Sequence, residues 1–264
     1  MAQILKANSL LATKASRGEV LITSGMILAI GCALLSLVGS YYLNLVGAAK
    51  YIALFGFGTG IVLYQLAKRH YGACIAGAAG EKKVAAFLKK ELSDEWLLLN
   101  DVEIKSNNKT AQIDHILVGP YGIVLIETKN VKGKISLTDD KQYWCQNKKY
   151  NTKRFYSPTL QARGHEAAVK SIISLFNLNQ FIPIRSVVLF CDDQIELNLP
   201  RFVDGIPVKS MSSLAAIDFT GGKEPILSSQ SVDHIGRTLL AIHNDPIVLS
   251  PQSSCHLHGG RFGI

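Results

Sequence analysis

From Val20 to Ala49 the chain carries no charged residue, and from Tyr51 to Ala67 there is none either; Lys50 alone interrupts them. A helix needs about 20 apolar residues to cross the hydrocarbon core of a bilayer, with about 17 as the lower limit. The first run is ample and the second just long enough. Two transmembrane helices are therefore predicted, about 20–40 and 50–67, joined by a very short loop near Tyr41–Lys50. These runs account for a composition that is 48% hydrophobic and only 18% charged. A secretory signal would suit the flanking Lys14 and Arg17, but the apolar stretch far exceeds an h-region of about 7–15 residues and a second span follows at once. A soluble hairpin that is apolar all round has no polar face to present to water.

Basic residues set the orientation. Lys6, Lys14 and Arg17 precede the first span, Lys68, Arg69, Lys82 and Lys83 follow the second, and the connecting loop has only Lys50. Both termini should lie in the cytoplasm, with the loop outside an inner cell membrane crossed twice. Tyr41, Tyr42 and Tyr51 stand where interfacial aromatics belong. Gly56-x-x-x-Gly60 suits close packing against the first span or against another copy.

The chemistry gathers in Ala111–Asn130, AQIDHILVGPYGIVLIETKN. Two apolar runs, Gln112–Val118 and Ile123–Thr128, flank the turn signal Gly119-Pro120-Tyr121-Gly122 and predict a β-hairpin. Inside it stand Asp114, Glu127 and Lys129, and burying such charges is costly unless they are paired or hold a metal. Side chains alternate along a strand. An even loop sets Asp114 across from Glu127 and Gln112 across from Lys129, all on one face; a three-residue loop would put the two acids on opposite faces. The even loop is expected, because it lets the buried charges meet.

Clustered carboxylates make a hard, anionic site for Mg²⁺ or Mn²⁺, which keep several waters and favour phosphate as a co-ligand. A lysine beside them can orient or deprotonate a water, or stabilise charge on a phosphate. Together these parts suit metal-assisted hydrolysis of a phosphodiester; the bland reading is an Asp–Lys ion pair at a strand edge. Asp114, twelve residues, then Glu127-x-Lys129 resembles the PD-(D/E)xK signature of restriction-endonuclease-like enzymes. With Gly80-Glu81-x-x-Val84 before it, and Gly133-x-Ile135 and Pro158-x-x-Gln161 after it, the pattern resembles the nuclease-related domain (NERD) family from about Gly77 to Lys170, extending to about Cys191. The resemblance implies an α/β fold with a restriction-endonuclease-like α-β-β-β-α-β core and a role in DNA processing. By position it makes Asp114, Glu127 and Glu81 the metal-holding acids, Lys129 the catalytic lysine, and Gln161 the polar residue opening the next helix. Ser157-Pro158 replaces the Asn-Pro common in the family.

The rest is read in order. The small-residue stretch Gly72–Gly80 reads as a linker, and Glu81–Leu92 as an amphipathic helix with Glu81 in its first turn, where the helix dipole alone would favour an acid. Trp96–Ile104 reads as a strand in which Asn100-Asp101-Val102 carries no signal. Val131–Leu137 turns into another short strand. Between Lys132 and Arg154, Lys132, Lys134, Lys148, Lys149, Lys153 and Arg154 are interleaved with Tyr143, Trp144, Tyr150, Phe155 and Tyr156. Cations neutralise phosphates and flat rings stack on bases, although a solvated strand pair with Trp144 in the core reads the same way. The formal charge of +8 agrees with a polyanionic partner, or with anionic lipid beside the spans. Leu160–Phe176 is expected as a helix; His165, one turn past Gln161, could face the site, but an ordinary surface histidine is the expectation. Ile184–Phe190 completes the core sheet, Val203–Lys209 adds a strand, and Ser231–His243 adds a helix. The tail holding Cys255, His256 and His258 lacks the fourth ligand of a structural zinc site. Five dispersed cysteines make no disulfide framework and suit a reducing compartment.

The sequence thus predicts a tail at 1–19, a membrane hairpin at 20–67, a nuclease-like domain at 72–191 and an extension at 192–264. The function expected is a membrane-anchored, Mg²⁺- or Mn²⁺-dependent DNA nuclease. The alternative is a tethered module that holds nucleic acid or a partner without cutting it.

Overall fold

The computed structural model describes residues 3–6, 10–41, 48–106, 109–175, 182–216, 219 and 224–244. The chain is mixed α/β and divides into two compact units, Ser9–Ala79 and Met1–Asn8 with Gly80–Ile264.

The first unit consists of α1 (Leu10–Tyr41) and α2 (Ala48–Glu91), whose last turns enter the second unit. Both helices are long and apolar enough to cross a membrane. They meet through small residues. A Cβ on Gly60 would lie 2.7 Å from the Ala29 backbone nitrogen, and one on Gly56 would lie 2.6 Å from Cys32 Sγ. The Gly56-x-x-x-Gly60 face is therefore spent on α1. The loop expected near Tyr41–Lys50 falls mostly outside the described residues.

The linker expected at Gly72–Gly80 is not one: these residues are helical within α2. The stretch has no proline, and its alanines offset the cost of its glycines. Glu81 consequently sits deep inside a long helix, so the helix dipole does not explain it.

The second unit is built on a seven-stranded sheet in the order β1-β2-β3-β4-β8-β11-β10, from Gln3–Lys6 (β1), Leu97–Ser106 (β2), Lys109–Gly119 (β3), Gly122–Lys129 (β4), Ile184–Phe190 (β8), Phe202–Val203 (β10) and Ile206–Ser210 (β11). The β2-β3-β4 meander is antiparallel, and β8 joins β4 in parallel. Strand β1, in the stretch expected as a plain tail, lies parallel to β2. Between β4 and α3 (Pro158–Leu175) the chain makes Gly133–Leu137 (β5), Tyr143–Lys148 (β6) and Asn151–Tyr156 (β7), which with β9 (Ile195–Asn198) form a second sheet. A 3-10 turn (Met211–Ala216) and α4 (Ser229–Asn244) complete the described residues. The tail with Cys255, His256 and His258 lies outside them.

Helices cover both faces of the large sheet. Val169 and Ile172 of α3 and Ile235 and Leu239 of α4 pack on Leu99, Ile116 and Leu125. Val84 and Leu88, from the end of α2, pack on Leu98, Leu117 and Val124 across the sheet. Strand β4 is buried from Gly122 to Thr128, as expected of a strand walled on both faces. Trp144 tucks into a third cluster, stacked 6.3 Å from Phe190.

Candidate active site

The β3–β4 turn has the even loop. Gly119 pairs with Gly122 around Pro120-Tyr121, and the ladder runs back to His115↔Ile126. The next pair in this register is Asp114 with Glu127, and there the ladder stops. The Thr128 N–H donates instead to Asp114 Oδ2 at 2.7 Å, so a carboxylate stands where the strand would offer a carbonyl. The strands part at this point, and Gln112, expected opposite Lys129, pairs with Glu103 of β2.

Glu127 is 2% exposed and Asp114 9%. Glu127 Oε1 and Lys129 Nζ form a close ion pair, and Lys129 also donates to Gln161 Oε1 at 3.1 Å. Gln161 is positioned by the start of α3. Ser157 accepts the Leu160 and Gln161 amides through its hydroxyl and carbonyl, and Pro158 occupies the first helical position, where it needs no N–H. One turn on, His165 is buried, its Nδ1 3.4 Å from Glu127 Oε2. It is no surface histidine. Glu127 Oε2 itself has no hydrogen-bond partner.

Glu81 approaches from α2. Gly80 lets the helix come this close, since a Cβ there would meet Asn130 Cβ at 2.5 Å and Cys191 Sγ at 2.8 Å, at the ends of β4 and β8. Glu81 lies beside the side chain of Asp101, a residue the sequence reading passed over. The only hint was that Asn100-Asp101 breaks the apolar run Leu97–Leu99.

The electrostatics are those of crowded acids. Burial, then Asp101 and Glu127, push the Glu81 carboxyl up to about 8. Burial, then Glu127 and Glu81, raise Asp114 well above the usual carboxylate range. Burial raises Glu127 although Lys129 opposes it. Burial would lower the Lys129 ammonium, but Glu127, Asp114 and Glu81 outweigh it and raise it. Burial and then Lys129 lower His165 to about 4. Such a set of buried, mutually repelling oxygens with an unpartnered carboxylate oxygen fits a hard divalent cation. Among the described residues no three His, Cys, Asp or Glu side chains are grouped as a ready-made metal cage.

The six basic residues on or beside the second sheet are exposed but do not share a face. The register Ile135↔Gln146↔Lys153 sets Lys153, and Lys148 two residues past Gln146, on the side of Trp144; Lys134 and Arg154 point the other way. Lys134 is 3.0 Å from Glu196 and Arg154 3.2 Å from Asp140. The Arg154 guanidinium lies over the Tyr143 ring at 5.1 Å and the Lys149 ammonium over the Tyr150 ring at 5.2 Å. Lys132 precedes β5.

The model of the nuclease-related domain family matches residues 76–191, which hold all of Glu81, Asp114, Glu127, Lys129 and Gln161. Over these residues the chain is similar to the nuclease-related domain family. An uncharacterized protein of Bacillus anthracis is 30% identical over 115 residues, 43% of this chain and 52% of that protein. The chain thus spans about half the length of this curated relative. The matched stretch runs from the last turns of α2 to the end of β8.

Proposed function

We propose that this chain is a membrane-anchored, metal-dependent nuclease that hydrolyses DNA phosphodiesters. The observation that carries the reading is the meeting of Asp114, Glu127, Lys129 and Gln161 where the β3–β4 ladder parts, with Glu81 arriving from the helix on the opposite side of the sheet. Asp114, Glu127 and Glu81 would hold Mg²⁺ or Mn²⁺. When bound, the cation supplies Lewis-acid charge that favours phosphodiester hydrolysis.

The chain's own residues do the rest. Lys129 keeps its proton in this acidic setting, so its Nζ serves as a fixed positive donor towards phosphate rather than as a base. Gln161 Oε1 and Glu127 Oε1 aim it. His165 is neutral near pH 7 and flanks the far oxygen of Glu127. The exposed basic residues of the second sheet, Lys148 and Lys153 on one side and Lys132, Lys134, Lys149 and Arg154 around it, offer a sequence-independent hold on the DNA backbone.

The membrane part of the proposal rests on apolar side chains that no protein covers. Ile27, Leu35, Ile52 and Phe55 are 71%, 69%, 71% and 77% exposed. Large contiguous apolar surface of this kind suits lipid. The basic residues flanking both spans favour a cytoplasmic nuclease domain and an outside loop. A Val46→Cys variant, in a background without the native cysteines, should be labelled only from outside; labelling from the cytoplasm would overturn this topology.

The function is tested on the full chain in detergent micelles with plasmid and branched DNA. Cleavage is expected with Mg²⁺ or Mn²⁺ and none with EDTA. Asp114→Asn should lose both Mn²⁺ binding and cleavage, whereas Lys129→Ala should keep the binding and slow the cleavage. Undiminished Mn²⁺ affinity in Asp114→Asn would reduce the site to an ion pair. DNA held but never cut would mark a tethered binding module instead.

A further inference from the structure

We infer that Asp101 is a fourth carboxylate of this cation site, holding the divalent ion together with Glu81 from the α2 side. The inference rests on the metal-dependent reading above and concerns a residue outside the Asp/Glu-x-Lys pattern.

The backbone carries the first part of the argument. In β2, Leu97 and Leu99 face the core beneath α3 and α4, and so do Val102 and Ile104; the alternation changes parity between them. The same change occurs in β3, where Ile116 and Val118 but also Ile113 face that core. The register nevertheless persists, Asn100↔His115 on one side and Val102↔Ile113 on the other. Each strand therefore contains one extra residue at the same level, Asp101 in β2 and Asp114 in β3. An extra residue in one strand alone would be a bulge. A matched pair keeps the register while setting Asp114 against the Thr128 N–H and Asp101 beside Glu81.

The chemistry carries the second part. Asp101 has φ +57°, a left-handed conformation that glycine or asparagine would adopt without adding charge. A carboxylate here instead adds repulsion to a site that already holds Glu81, Asp114 and Glu127 against Lys129 alone. One side of the Asp101 carboxylate meets Glu81, while Oδ1 is buried with no hydrogen-bond partner. Glu127 Oε2, in a side chain 1% exposed, also makes no hydrogen bond, with His165 Nδ1 3.4 Å away. A buried carboxylate oxygen with no partner, beside Glu81 and on the strand next to Asp114, calls for a positive ligand.

The test is Mn²⁺ calorimetry on the full chain in micelles, comparing the wild type with Asp101→Asn, Asp101→Gly and, as a control, Glu127→Gln. Asparagine and glycine both tolerate the left-handed backbone, so both variants should fold, and thermal unfolding in EDTA should give a melting temperature equal to or above the wild type. Both should bind Mn²⁺ about tenfold or more weakly, roughly the lower bound for losing a group that supports a metal. A merely structural Asp101 would leave the affinity unchanged. Affinity within about twofold of wild type in both variants, with binding lost in Glu127→Gln, would overturn this inference and leave the site reading standing. No Mn²⁺ binding by the wild type would overturn both.

Discussion

Glu81 makes the stability of the metal-free protein fall as pH rises. An exposed glutamate titrates near 4.5, but in the folded chain this carboxyl is held at about 8 by burial, Asp101 and Glu127. Between those values the folded state binds a proton that the unfolded chain has released, so its stability contribution is full below 4.5 and is lost as pH rises through 8. Asp114 and Glu127 are raised as well and act with the same sign. The buried histidines act oppositely but at lower pH. His115 and His165 are held at about 3 and about 4, so the stability they contribute is present above about 6.5 and lost as pH falls below it. Above about pH 6.5 the histidines' contribution levels off, so the acids set the sign of the slope from pH 6.5 to 8.5.

Over that interval Glu81 alone accounts for about 2 kcal/mol at about 1.4 kcal/mol per pH step, and roughly 1–2 kcal/mol after allowing for its partial exposure. For a unit of this size that corresponds to a melting temperature lower by roughly 3–6 °C at pH 8.5 than at pH 6.5. Trp96 and Trp144, both buried in the second unit, report its unfolding by fluorescence in EDTA. Glu81→Gln should flatten the slope and raise stability at pH 8.5, and Mn²⁺ should abolish the slope by neutralising the acids. A melting temperature that is flat or rising across this interval, or an unchanged slope in Glu81→Gln, would refute the reasoning.

Other perturbations test separate parts of the molecule. Gly119→Ala would drive a Cβ to 2.3 Å from the Trp96 ring, and chemical denaturation should register a loss of about 1–3 kcal/mol. Gly56→Cys would set its Cβ 3.5 Å from that of Cys32, within reach of a disulfide. Oxidation should therefore link α1 to α2 within one chain, and a link between copies would mean that the Gly56 face is used for self-association. Gln161→Leu removes the amide acceptor of Lys129 and should slow cleavage several-fold at unchanged Mn²⁺ affinity; a lost affinity would move Gln161 into the cation site.

Much of the fold was legible because strong periodicities write themselves into sequence. The charge-free runs, the Gly-Pro-Tyr-Gly turn and the β-branched strand Ile184–Phe190 each state their structure locally. The even loop followed from a physical demand, that buried charges should meet. What failed was punctuation. Glycines from 72 to 80 suggested a break, but a helix interrupted only by glycine and alanine stays intact when its ends are anchored, here by apolar runs on one side and by Val84 and Leu88 on the other. Strand β1 was invisible because four residues, Gln3–Lys6, gain their structure only from pairing with β2.

The site shows the same division. Asp114, Glu127 and Lys129 were legible because charge inside an apolar hairpin is anomalous on its face. Asp101 was not, because it is ordinary within its own segment, an aspartate in a polar dipeptide; His165, one turn past Gln161, could face the site by its spacing but reads like any histidine on a helix. The place of Asp101 arises from register, which is a property of two strands at once. An extra residue in β2 would throw Asn100 and Val102 out of step with β3 unless β3 carried its own, and no reading of either strand alone reveals the match. Asp101 and Asp114 stand at that matched level, so the irregularity that places the recognised acid also places the unrecognised one. If the Asp101 variants keep their melting temperature and lose Mn²⁺, the paired extra residues are the device that builds the site. If they keep both, the irregularity serves Asp114 alone, and the negative charge at position 101 has no part in holding the cation.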